Sequence, residues 1–341
     1  MSVPSRPPLL EVKGLRASYR GRGGPLGNGK SAILALEDVK FCVERGQVLG
    51  LAGESGSGKS TLARLLCQLK TPDGGDILLD GKPLGTMRKA EKHEYRRRVQ
   101  MVFQDPSTTL SPRRSIGQTL LEPLSHFGIG SRPERERMAI EALESVDLEA
   151  SAMHRLPHQF SSGQRQRISI ARALLPRPDL LIADEAVSSL DVSVQARILG
   201  LLNRLRQERD IAILFISHDL AVIRQLADNI GVMLQGRLVE YASADALFSH
   251  PAHPYTRQLL AAVPDPDPDP GSEPGPGPHL ANNETAPGLA AITAHREGSA
   301  GCRFAVRCPE AMRECHRIRP ALRSRPGSAA HVVECHLDPP E

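Results

Sequence analysis

The stretch GESGSGKST, Gly53 to Thr61, constrains this chain more than any other. It fits G-x-x-x-x-G-K-S/T directly behind the apolar run QVLGLA and in front of a helical pattern. A glycine-rich turn lets consecutive backbone N–H groups point at phosphate oxygens, and the helix start behind it adds partial positive charge. Gly53, Glu54, Ser55, Gly56, Ser57, Gly58 and Thr61 are therefore read as nucleotide-contacting positions. Lys59 is placed to bridge the β and γ phosphates, and Ser60 to ligate Mg²⁺. The spacing predicts a strand–loop–helix unit that holds a nucleoside triphosphate.

DLLIADEA supplies the complement, an apolar strand ending in Asp184 and followed at once by Glu185. Paired carboxylates in a partly buried place repel, and a divalent cation removes that objection. Asp184 is thus expected to hold Mg²⁺, with Ser60, and Glu185 to polarise an attacking water as general base. Gln104 closes VQMVFQ and His218 closes IAILFISH. If the strands are parallel, both residues open on the same crevice as Gly53 and Asp184. Gln104 would orient water or Mg²⁺, and His218 would contact the γ-phosphate.

The rest of the chain is consistent with an α/β fold. Short apolar strands expected at 47–53, 99–104, 179–184, 211–217 and 230–234 alternate with helical stretches, which predicts a mostly parallel sheet flanked by helices. Residues 9 to about 50 carry β-rich runs with glycine turns, an antiparallel opening sheet. The stretch from about 115 to 175 is helix-rich and reads as an inserted helical subdomain, with Met138, Ala139, Leu143 and Val146 on one face. DPDPDPGSEPGPGPHLANNETAPG cannot build a packed element and reads as a linker. Asn283 there matches a glycosylation acceptor by spelling, to which a cytosolic linker gives no meaning. The apolar runs fall short of the roughly 20 residues that span a bilayer, and the start lacks the pattern of a secretory signal. The expectation is a cytosolic protein. A net charge of +4 and the short run Arg96 to Arg98 do not call for nucleic acid.

FSSGQRQRISIARALL begins with a small-residue turn and runs into a helix, a second anion-binding end in a chain that already has its phosphate loop. A second grip implies a second nucleotide. With SSLD at Ser188 to Asp191, the set resembles the ATPase subunits of ABC transporters, in which the signature of one subunit caps the γ-phosphate held by the other. The resemblance covers residues 9 to about 250: Tyr19 as the aromatic before the first sheet, the phosphate loop, Gln104, the signature Ser161, Ser162, Gly163 and Gln164, then Asp184-Glu185, Asp191 and His218. VFQDPSTTLSPR, LPHQFSSGQRQR, DVSVQA and HPYTRQLLAAVP look like the oligopeptide and dipeptide importer ATPases. That resemblance implies a RecA-like P-loop NTPase core with an antiparallel β subdomain, a helical subdomain at about 105–175 and a small C-terminal cysteine module. The implied domains are 9–250 for the ATPase, 251–288 for a helix and linker, and 289–341 for the module. It also implies ATP and Mg²⁺, a second ABC ATPase subunit, most naturally in a heterodimer, two transmembrane permease subunits and an extracytoplasmic substrate-binding protein. The place is then the cytoplasmic face of the membrane, peripherally held. The solute is peptide by resemblance, although importers of nickel, glutathione and other small solutes share similar ATPases. A soluble ABC-type ATPase acting on nucleic acid would carry two cassettes or a long coiled-coil insert, and neither is seen. The family usually has glycine where this signature has Ser162; a side chain there predicts weaker binding of the partner's nucleotide.

Of six cysteines, Cys42 and Cys67 sit in apolar patterns and are expected as small buried side chains. Cys302, Cys308, Cys315 and Cys335 follow C-x5-C-x6-C-x19-C. A reducing cytosol disfavours disulfides, and free thiols remain open. Four thiolates fit zinc or an iron–sulfur cluster; zinc usually prefers a C-x-x-C pair, absent here, and the longer spacing leans toward a cubane. The resemblance points the same way, since importer ATPases with GCxFxxRCP tails are linked to a 4Fe–4S cluster. The module is expected to be separate from catalysis, with a structural or regulatory role.

Overall fold

The computed structural model describes residues 7–20, 32–106, 109–188, 190–262, 301–325 and 328–337. The continuous apolar runs become buried strands because each serves two core layers at once. In chain order the strands and helices begin β1 (Leu10–Arg20), β2 (Ala32–Val43), β3 (Val48–Ala52), α1 (Lys59–Leu66), β4 (Gly74–Leu79), β5 (Lys82–Pro83), α2 (Lys89–Arg98) and β6 (Val99–Val102). There follow α3 (Ile116–His126), α4 (Arg132–Ser145), α5 (Ser162–Leu174), β7 (Leu180–Asp184), α6 (Val192–Arg209), β8 (Ala212–Ile216), α7 (Leu220–Arg224) and β9 (Asn229–Leu234). The chain closes with β10 (Arg237–Ser243), α8 (Ala244–Ser249), α9 (Pro254–Ala261), β11 (Arg323–Arg325) and β12 (Ser328–Val333).

Among the described residues one sheet has the order β2-β1-β4-β5, and the other β11-β12-β10-β9-β3-β8-β7-β6. The pairings β9–β3, β3–β8, β8–β7 and β7–β6 are parallel, and the first sheet is antiparallel. Leu49 and Leu51 of β3, Ile182 of β7 and Leu214 of β8 face a layer shared with the antiparallel sheet, α1 and Tyr95 of α2. Their neighbours Val48, Leu181, Ile213 and Phe215 face the opposite layer, against α3, α4, α5 and α6. This two-sided burial is why the runs read as continuously apolar and not as alternating.

The helical subdomain forms where the periodicity placed it. Ala139, Leu143 and Val146 are wholly buried, and Met138 packs against the same core. Ser115 and Ser131 start α3 and α4, each paired with Gln or Glu three residues on in a capping box. Cys42 departs from expectation: it points outward between buried Phe41 and Val43, as strand alternation requires. Cys67 ends α1, its thiol pushed by burial up to about 12.

The tail is not a detached module. β12 adds antiparallel to β10 through Glu240–Val333 and Tyr241–Val332, so the C-terminal segment extends the central sheet. Arg237 donates from Nε to both oxygens of Glu334 at 2.8 and 2.9 Å, and both side chains are buried. Residues 263–300, which include the expected linker and Asn283, lie outside the described residues.

Candidate functional site

Sheet order sets the site. Because β3, β8, β7 and β6 are parallel neighbours, their C-terminal ends line one edge. That edge presents Gly53 after β3, His218 two residues beyond β8, Asp184 and Glu185 at the end of β7, and Gln104 two residues beyond β6. Residues read from four separate motifs thus stand in one row.

Gly53 to Gly58 form a tight loop leading into α1. Gly58, the residue before the helix, sits at φ 107°, and a Cβ there would lie 2.7 Å from the Ala35 carbonyl oxygen. Only glycine meets both conditions. Lys59 is 4% exposed. Its ammonium donates to the carbonyls of Gly53 at 2.6 Å and Glu54 at 3.0 Å, and to Ser57 Oγ at 3.4 Å. Burial draws its pKa down, while the charges of Glu185, Asp184 and Glu54 push it back up. Ser60 Oγ donates to Asp184 Oδ1 at 3.2 Å. Burial raises the Asp184 carboxyl above its ordinary range; the Ser60 bond opposes that rise and the charge of Glu185 adds to it. A buried carboxylate that is costly to ionise, with a hydroxyl beside it, fits a hard divalent cation with oxygen ligands such as Mg²⁺.

Glu185 stands at φ 48°, a backbone region that a non-glycine residue seldom adopts and that collects at functional sites. Its N–H donates to the Ile216 carbonyl at 2.9 Å. Gln104 Nε2 donates to its Oε2 at 2.9 Å, and His218 Nδ1 lies 3.6 Å from its Oε1. The arrangement aims a carboxylate flanked by an amide and an imidazole into the crevice that Lys59, Ser60 and Asp184 line. Gln104, expected near the metal, spends its amide on Glu185.

The signature starts α5. Ser161 caps it, accepting from the Gln164 N–H at 3.3 Å while Gln164 Oε1 accepts from Ser161 N–H at 3.0 Å. Ser162 is exposed in the first helical turn and is not among the residues with positive φ. The glycine expected there is therefore not needed for backbone reasons. Gly163 carries the steric demand instead, since a Cβ at that position would lie 2.4 Å from Val194 Cγ1. Asp191 precedes α6, with no capping bond from its side chain. Tyr19 lies inside β1, paired with Ile33, and not ahead of the sheet as expected. Its hydroxyl is 3.3 Å from Thr61 Oγ1, a bond that holds its pKa below the usual range. The Lys70 ammonium sits 3.3 Å from the ring centroid.

Cys302, Cys308, Cys315 and Cys335 are not joined in disulfides. Among the described residues no three His, Cys, Asp or Glu side chains are grouped to hold a metal ion, so the placement does not carry the cluster or zinc expected from the sequence. Phe304 N–H and Leu337 N–H donate to the sulfurs of Cys302 and Cys335 at 3.4 Å each. Burial raises the pKa of both thiols, that of Cys335 to about 11.

Sequence reasoning missed two contacts on the phosphate loop. Tyr255 Oη accepts from the Glu54 N–H at 2.9 Å, and Arg307 grips the Glu54 carboxylate with both terminal nitrogens at 2.9 and 2.6 Å. HPYT and GCRFAVRCP were legible as motifs, but nothing in their spelling names a partner so far upstream.

Comparison with known proteins follows this division. Residues 36–188 match the family described as ABC transporter, and residues 239–315 match the oligopeptide/dipeptide transporter C-terminal region. A putative peptide import ATP-binding protein of Brucella ovis is 44% identical over 332 residues, covering 97% of this chain and 98% of its own. The oligopeptide transport ATP-binding protein AppF of Bacillus subtilis is 36% identical over 338 residues, covering 99% of each. Among solved structures, the ATP-binding cassette MJ0796, a dimer in a post-hydrolysis state bound to ADP and Pi, superposes with TM-score 0.61 and 28% identity. The match covers 69% of this chain and 98% of that one. The protein cbiO1 from Clostridium perfringens, part of the ABC transporter complex cbiONQ, gives TM-score 0.61 and 27% identity, covering 71% and 91%.

Proposed function

The chain belongs to the ABC transporter ATPases that carry the oligopeptide/dipeptide transporter C-terminal region, and on that premise we propose that it hydrolyses ATP to power import of peptides through a membrane permease. The observation that carries the reading is the meeting of Gln104, Glu185 and His218 at the ends of three neighbouring strands, beside Lys59 and Asp184.

In this reading the loop's N–H groups and the α1 N-terminus receive the phosphates, and Lys59 exchanges its carbonyl partners for phosphate oxygens. Ser60 and Asp184 would hold Mg²⁺, which would neutralise phosphate charge and orient the γ-phosphoryl group. Glu185 accepts the proton of the attacking water, a contribution of roughly 10²- to 10⁴-fold. Gln104 fixes the rotamer of Glu185, and His218 supplies a donor at the γ-phosphate edge. Products are ADP, inorganic phosphate and the proton left on Glu185. Ser161 to Gln164 and Asp191 serve a second subunit's nucleotide, and Tyr19 the base of its own.

Such an engine works as a pair beneath permease subunits, fed by an extracytoplasmic binding protein, on the cytoplasmic face of the membrane. The peptide relatives and the matched C-terminal region support these assignments, and among the described residues no helix is long and apolar enough to cross a bilayer. Replacing Glu185 by Gln should abolish turnover while leaving nucleotide binding intact and trapping a closed dimer; turnover near wild type would remove Glu185 from the role. Peptide-stimulated hydrolysis in vesicles holding the full transporter tests the solute.

The finer reading of the tail, a 4Fe–4S cluster or zinc on Cys302, Cys308, Cys315 and Cys335, rests on cysteine spacing and on the N–H···S contacts at Cys302 and Cys335. Iron, sulfide and zinc analysis of full-length protein purified without oxygen tests it. Cofactor lost on replacing any one of the four supports it, and protein with none of the three refutes it.

A further inference from the structure

Glu54 is the first variable residue of the phosphate loop, and it is held from both ends. Its carbonyl accepts from Lys59 at 3.0 Å. Its own N–H donates outward to Tyr255 Oη, 201 positions along the chain, at 2.9 Å. Its carboxylate lies in the fork of Arg307, 253 positions away, at 2.9 and 2.6 Å. Nothing in the requirement for phosphate cradling demands these partners, because a glycine turn at a helix start suffices.

The two partners are themselves fixed. Tyr255 is wholly buried, with its ring 5.5 Å from that of Phe304, over which the Arg307 guanidinium also lies at 5.5 Å. His253 Nδ1 accepts from the Tyr255 N–H at 3.0 Å and so sets the start of α9. The wholly buried carboxylate of Glu240 receives the N–H groups of Ala252 and His253 at 2.8 and 2.9 Å. His331 Nε2 lies 2.8 Å from the same carboxylate, tying β10 to β12. A continuous set of packed and hydrogen-bonded groups therefore runs from the cysteine-bearing tail to the residue beside the catalytic lysine.

We propose that Tyr255 and Arg307 are positioning residues for the phosphate loop: acting through Glu54, they set its affinity for the nucleotide's phosphates and make the C-terminal module part of the ATP site. The electrostatics give this a direction. A free Glu54 carboxylate beside the loop would repel a triphosphate, and the Arg307 fork neutralises it. The inference rests on the reading of this loop as an ATP site.

Full-length protein is titrated with Mg²⁺ and a fluorescent ATP analogue, and steady-state hydrolysis is measured beside it. Arg307→Ala should weaken binding and raise the KM for ATP by about two- to five-fold, the range of a half-exposed ion pair, with kcat little changed. Tyr255→Phe should cost about three- to ten-fold by leaving the Glu54 N–H unpaired. Adding Glu54→Gln to Arg307→Ala should recover most of the loss, because the unpaired charge is gone, and Arg307→Lys should recover part of it. A role confined to folding would lower kcat and thermal stability together and show no such recovery. Unchanged affinity in Arg307→Ala, or a double variant no better than the single one, overturns the inference while the ATP site stands. Wild-type protein that fails to bind the analogue overturns the ATP reading and the inference with it.

Discussion

His253 makes the protein's stability fall with acid in a window of its own. The ring is 1% exposed, and burial depresses its pKa to about 4, with Arg257 pressing in the same direction and the Glu240 carboxylate opposing. In the neutral ring Nδ1 is the acceptor for the Tyr255 N–H; a proton there turns acceptor into donor and breaks the cap. The unfolded chain takes up its proton near the ordinary 6.5 and the folded chain only near 4, so the unfolded state binds more protons between these values and stability drops as pH falls through them. The gap of about 2.5 units corresponds to about 3 kcal/mol in full, of which about 1.4 kcal/mol is lost by pH 5.5. Urea unfolding of the full chain at pH 7.5, 6.5, 5.5 and 5 should show the midpoint falling by about 0.3–1 M between 7.5 and 5.5 from this group alone. His253→Gln keeps a carbonyl acceptor but cannot titrate, so its curve should be flatter by that amount. Every other histidine and carboxylate is common to both proteins and cancels in the comparison. Glu240 acts in a separate, lower window: burial pushes its pKa up, but His331, Thr256 and the Ala252 and His253 N–H groups outweigh that and hold it below the ordinary 4.5. Identical slopes for wild type and His253→Gln between pH 6.5 and 5 would refute the reasoning.

Three further outcomes follow from the site. Lys59→Ala removes the buried ammonium that ties Gly53 and Glu54 and should sharply weaken binding of Mg²⁺-ATP; unchanged affinity in an equilibrium titration would argue against the phosphate-loop assignment. Gly163→Ala places a methyl 2.4 Å from Val194 Cγ1, whose branched side chain has little freedom to turn away. It should destabilise the α5–α6 contact by about 1–3 kcal/mol and lower turnover of the paired subunits, whereas Ser162→Gly should leave stability within about 1 kcal/mol, since it trades an exposed serine for a glycine in a helix. A stable Gly163→Ala protein would show that the helix start can shift.

The parts of the fold legible in advance are those whose cause is local. A strand buried on both faces must be apolar along its length, and VLGLA and AILFI are, as is LLIA up to the crevice edge where Asp184 stands. The crevice residues were legible for a second reason: parallel strands end on a common edge, so four motifs unrelated in sequence were brought together by topology alone. Cys42 reads as buried because its apolar neighbours hide the alternation of β2 from Val39 to Val43, which turns Lys40 and Cys42 to solvent. Tyr19 reads as lying ahead of the sheet because it sits near the end of β1, beyond the last residue paired with β4, where a strand terminus carries no signal of its own. The tail reads as a separate module because a proline- and glycine-rich stretch signals a break along the sequence, which says nothing of where the segments beyond it lie in space. SAAHVV and RLVEYAS pair across that break through a register that neither segment specifies.

The same distinction moves the weak point of the signature. From the sequence, Ser162 looked like the compromise, since glycine at that place suggested a need for positive φ. The capping box of Ser161 and Gln164 removes that need by starting an ordinary right-handed helix at Ser162, with the extra hydroxyl left in solvent. What the signature cannot lose is the space at Gly163, because α6 begins directly after Asp191 and brings Val194 against it. The helix that Asp191 starts and the helix that Ser161 caps are thus pressed together through one missing side chain, and both ends are assigned here to a second subunit's nucleotide. On the Glu185 side, Ser188, three residues before Asp191, donates from Oγ to the Glu185 carbonyl at 3.0 Å.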